Sequence, residues 1–215
     1  MPRYEAQFEI HVHGDIPIRP GVTYAQIDEA LKPMWKYAGA KSLKDATSLF
    51  DEEPGIEYDA QKRVLAFCWT VEGNEDFQNS LDEACGAICD LSAEGAGIEV
   101  SFFDNDDDDG QDTFGLLFVG PSPEAIHETQ RQYMQEDLTR LLERHFDKGE
   151  MSEVVDAVNR LFARRLVSIT QGQKLARVDF PSGGGHGGNK GGGKRHLHCL
   201  RYLTWHQARH RGGYD

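Results

Sequence analysis

No apolar run in this chain approaches the roughly 18 residues that a bilayer span requires. Its opening string "MPRYEAQFEIHVHGD" also lacks the charged-then-apolar pattern of a secretory leader, so a soluble, cytoplasmic protein with no membrane partner is expected. Cysteine is scarce: Cys68, Cys85, Cys89 and Cys199 are the only four in 215 residues. Their spacing suits no disulfide scaffold, which points to free thiols in a reducing compartment. Cys85 and Cys89 share one face of an expected helix and read as small packing residues. Catalytic signatures are missing as well. There is no Walker loop, no G-x-G-x-x-G after a strand and no G-x-S-x-G elbow, so neither phosphate cradling nor serine hydrolysis has a motif to rest on.

What is abundant is negative charge. The chain carries 23 Lys+Arg against 36 Asp+Glu, a formal net charge of −13. Residues 1–170 alone hold 15 basic against 34 acidic residues, whereas 171–215 hold 8 against 2. An acidic body is steered towards basic surfaces and a basic tail towards anionic ones, so the two parts face different partners.

Periodicity orders the body. "YEAQFEIHVHG" alternates, with Phe8, Ile10 and Val12 on one face and Glu9, His11 and His13 on the other, the period of a half-buried strand. Thr23 can cap a helix whose Ile27, Leu31, Met34 and Trp35 fall at helical spacing, and Pro33 is expected to kink it or end it. "SLFDEE" reads as a short strand, and "GIEYDAQKRVLAFCWTVEG" as one or two more. A second helix runs from an Asn74 cap through Phe77, Leu81, Cys85, Ile88 and Leu91 and is closed by Gly95 and Gly97. "IEVSFF" and "TFGLLFV" form a hairpin, and two helices follow.

The order β-α-β-β-α-β-β-α-α predicts an α+β fold: a mostly antiparallel sheet of about five strands with helices on one face, of the ferredoxin-like type. That type carries no function by itself. The expected division is an acidic domain over 1–168, a glycine-rich flexible linker over 169–195 and a basic His/Arg-rich tail over 196–215. Apolar positions on the last two helices, among them Leu141, Val155 and Leu161, cover the sheet or pair with a second copy, which leaves a homodimer open.

Three strings carry candidate chemistry. "DNDDDDGQDTFG" places Asp104, Asp106, Asp107, Asp108, Asp109 and Asp112 together. With Gly110 as the turn glycine of a calcium loop, Asn105, Asp107 and Asp109 fall on ligand positions, but Leu116 stands where a bidentate Glu is needed. A solvated hairpin turn or a charged recognition surface therefore suits it better than an ion site. "HVHGD" puts His11 and His13 on one strand face with Asp15 following, a set that could ligate a metal. In the tail, His196, Cys199, His206 and His210 could hold zinc, although Gln207 stands where a zinc protease needs its Glu.

The reading that results is a non-enzymatic acidic regulator or inhibitor with no cofactor. It would occupy a basic, nucleic-acid-binding surface of a partner protein, the kind of factor a phage or bacterium would use. Two alternatives come from other classes: a metal-dependent hydrolase or nuclease built on His11, His13 and Asp15 with Zn or another divalent ion, and nucleic-acid binding through the basic tail.

Overall fold

A computed structural model describes residues 8–74, 76–103, 113–170 and 201–202. The strands are β1 (Phe8–Pro17), β2 (Gly55–Asp59), β3 (Val64–Gly73), β4 (Ala96–Phe103) and β5 (Thr113–Val119), with a two-residue β6 (Arg201–Tyr202). The helices are α1 (Tyr24–Leu31), α2 (Phe77–Cys89), α3 (Pro123–Leu142) and α4 (Lys148–Thr170).

All strand pairs are antiparallel, in the order β2-β3-β1-β4-β5-β6. β3 lies between β1 and β2, and β1 lies between β3 and β4, so each βαβ unit is split by one inserted strand. This is the ferredoxin-like arrangement that the element order predicts, extended beyond β4 at one edge by β5 and β6.

The alternation in β1 sets the layers. Ile10, Val12 and Ile16 are fully buried, as are Leu65 and Trp69 of β3 and Ile98 of β4. Ile27 and Leu31 of α1 and Phe77, Leu81 and Ile88 of α2 supply the other half of this core. Phe77 sits at its centre, with ring centroids 5.0 Å from Tyr37, 6.2 Å from Trp69 and 6.5 Å from Phe102. The Trp69 indole donates to the Thr47 carbonyl oxygen at 3.1 Å, so its one polar atom is satisfied inside the core.

Local chemistry explains most boundaries. Thr23 and Gln26 form a reciprocal capping box at the start of α1. Pro33 ends that helix at Leu31, and Lys32–Met34 continues as a single 3-10 turn. Three expectations shift. Residues 49–53 are turns and bends and Ser48 has no regular structure, so this stretch is not a strand, although the Leu49 amide bonds the Thr70 carbonyl at 2.9 Å. Asp76 rather than Asn74 occupies the N-cap position of α2; the Asn74 side chain instead accepts from the Asp76 amide at 3.1 Å. α2 stops at Cys89, well before Gly95, and Gly97 belongs to β4.

The described residues divide into two compact units, one within 8–130 together with 201–202, the other within 131–170. The first holds the sheet with α1, α2 and the first turns of α3. The second holds the rest of α3 and α4, joined through Asn159, whose Oδ1 accepts from Arg131 Nη1 at 3.0 Å and Gln135 Nε2 at 2.9 Å. No described helix is long and apolar enough to cross a membrane.

Candidate functional site

In β1 the core-facing side chains Ile10, Val12 and Ile16 occupy one parity. The other parity belongs to a second, open sheet face on which His13, Asp15, Glu57, Glu72 and Glu99 are exposed, although Thr70 of β3 and Phe118 of β5 on that parity are buried. Register fixes its rows. Glu9 lies between Glu72 and Phe103, His11 between Thr70 and Ser101, His13 between Cys68 and Glu99, and Asp15 beside Ala66, which is itself beside Glu57. Asp59 pairs with Val64 on the same face. The strands β1 to β5 contain six Asp or Glu residues and no Lys or Arg, and all six carboxylates, Glu9, Asp15, Glu57, Asp59, Glu72 and Glu99, fall on this face.

A seventh carboxylate reaches in from the segment before β2. Glu53 Oε1 accepts from Thr70 Oγ1 at 2.9 Å and lies 3.2 Å from His11 Nδ1, while its Oε2 accepts from Ser48 Oγ. Ser48 in turn accepts from the Thr70 amide at 2.9 Å, which ties the segment to β3. Because the Thr70 hydroxyl gives its one hydrogen to Glu53, its 2.9 Å contact with His11 Nδ1 requires Nδ1 to carry the proton.

Electrostatics follow from these contacts. Partial burial works to raise the Glu53 carboxyl, but hydrogen bonds from Ser48 and Thr70, with the His11 charge, outweigh it and hold Glu53 below its ordinary value. Asp59 is also lowered, first by the Lys62 amide that its side chain caps. The Cys68 thiol is raised by burial and by Glu53, and Cys85 is raised far more by full burial, so neither is a poised nucleophile.

His11 and His13 do share the open face as their spacing predicts, with near-parallel rings whose centroids are 6.3 Å apart. Asp15 is on the same face, one pair further along β1. Among the described residues no three His, Cys, Asp or Glu side chains are gathered as a metal would need. The partners that His11 does have, Glu53 and Thr70, were not singled out with it from the sequence; the one signal was a polar Thr inside the apolar string "LAFCWTV". Asp104, Asp106, Asp107, Asp108, Asp109 and Asp112 lie outside the described residues, as do His196, Cys199, His206 and His210.

A family model matches residues 8–163, from the first residue of β1 into α4. The chain belongs to DUF6806, a family of unknown function. No curated protein and no solved structure matches it. The acidic open face of this DUF6806 member lies wholly within the matched span, and the basic tail lies outside it.

Proposed function

We propose that this DUF6806 chain is a non-enzymatic binding module whose acidic open sheet face docks on a basic surface of a partner protein, as a regulator or inhibitor of that partner. The supporting observation is the segregation of charge: every Asp and Glu of the five long strands is on the open face, and those five strands contain no Lys or Arg. Glu9 stands directly opposite Glu72, an arrangement that destabilises a sheet through like-charge repulsion. A surface that keeps such a cost is suited to being neutralised from outside, and its field would speed encounter with a cationic partner. A basic nucleic-acid-binding cleft is the partner surface this chemistry fits best.

The test separates the face from mere acidity. An oligolysine peptide is titrated into the full chain, into a Glu9→Gln, Glu72→Gln, Glu99→Gln variant, and into a control that neutralises Glu136, Asp137 and Glu143 of the α3–α4 region. The proposal expects the sheet variant to lose most of the affinity and most of its salt dependence, and the control to keep both. Equal losses in both variants would mean that net charge alone attracts the peptide, and the proposal would fail. A transition metal bound one per chain and released in His11→Ala would favour the metal-dependent alternative instead.

A further inference from the structure

β2 is half the length of its neighbour, and this leaves part of β3 uncovered. β2 pairs with Val64 to Cys68, and Ser48 and Leu49 satisfy the amide and carbonyl of Thr70, but β3 continues to Gly73. In an antiparallel strand alternate residues turn their main-chain groups to the same side. Cys68 and Thr70 turn theirs towards β2, so Glu72 does too, and among the described residues nothing pairs with its main chain there. Beside this edge lies a cleft of about 480 Å³ lined by Tyr37, Leu49, Val71, Glu72 and Asp76, with Lys36 stacked 4.7 Å over the Tyr37 ring. Leu49 and the adjacent Phe50 are exposed, at 52% and 44% of their surface.

We propose that the uncovered end of β3 is a strand-addition site, and that its occupant is an extended basic segment of the partner protein. The inference rests on the acidic-face reading above and deepens it. A residue paired with Glu72 presents its side chain on the face of Glu72, where Glu9 stands alongside, so a Lys or Arg belongs at that position. The residues before and after it turn to the opposite side, where the apolar lining of Tyr37, Leu49 and Val71 is available. The recognised pattern is therefore apolar-basic-apolar in extended form, with main-chain hydrogen bonds supplying affinity and the alternate side chains supplying specificity. The Ser48–Leu49 segment already makes the first contacts of such a strand on Thr70, and the ligand would continue along the same edge.

The experiment uses the full chain and a capped peptide alternating Val with Lys, compared with the same peptide methylated on the main-chain nitrogens that would face β3. Methylation removes donors and leaves every charge in place. Strand addition predicts at least an about tenfold weaker affinity for the methylated peptide, an amide shift at Glu72 with the parent peptide, and an about threefold loss in Glu72→Gln. If both peptides bind equally, strand addition is overturned while the acidic-face reading stands. If neither binds at low salt, both are overturned.

Discussion

Glu53 is the residue on which the centre of the open face depends. It is held by Ser48, Thr70 and His11, and its carboxyl is kept below the ordinary value. A depressed folded-state pKa contributes stability above the unfolded-state value, roughly 4.3 for Glu. That contribution fades as the pH falls through the folded-state value. Urea unfolding of the protein and of Glu53→Gln at a series of pH values should therefore show a gap at neutral pH that closes on acidification below about pH 4. A gap that is constant with pH would mean that the network is maintained without the charge. Thiol reactivity checks the layers at the same scale: Cys85 and Cys89 are buried and should resist alkylation in the folded chain, reacting only on unfolding.

Elements test how tightly the sheet is built. Gly14 sits in β1 with a φ of 156°, and a Cβ there would meet the Gly97 carbonyl oxygen at 2.7 Å. Gly14→Ala should cost about 2 kcal/mol or more, read as a lower urea midpoint with unchanged slope. Trp69→Ala should cost about 3–5 kcal/mol, because it empties the space against Phe77 and abandons the bond to Thr47. Glu9→Gln should do the reverse and stabilise by ~0.5 kcal/mol through relief of the repulsion with Glu72, while weakening oligolysine binding. These elements were largely legible in the sequence. Strict alternation in β1, the Thr23 cap and the Pro33 stop depend on local periods and caps, and local rules reach that far. The residues that escaped them are set by tertiary contact. "SLFDEE" has strand-like composition, yet it is held by Ser48 and Leu49 against Thr70 rather than by a ladder, and the partners of His11 come from 42 and 59 positions away along the chain.

At the scale of the molecule the finding is a division of labour between the sides of one sheet. One side is an apolar layer closed by α1 and α2 around Phe77, and the other carries every strand carboxylate. The sequence showed the excess of acid but drew the eye to Asp104–Asp112, because clustered letters are visible in one dimension. Glu9, Asp15, Glu57, Glu72 and Glu99 are scattered along the chain and become a surface only when the register of four strands is known. The most direct test of that surface is an amide-resolved NMR titration of the full chain with oligolysine at low salt. The account predicts that the largest shifts fall on β1, β3 and β4 at Glu9, Asp15, Glu72 and Glu99. Shifts confined to α3, α4 or the Asp104–Asp112 stretch, with the sheet unchanged, would contradict it.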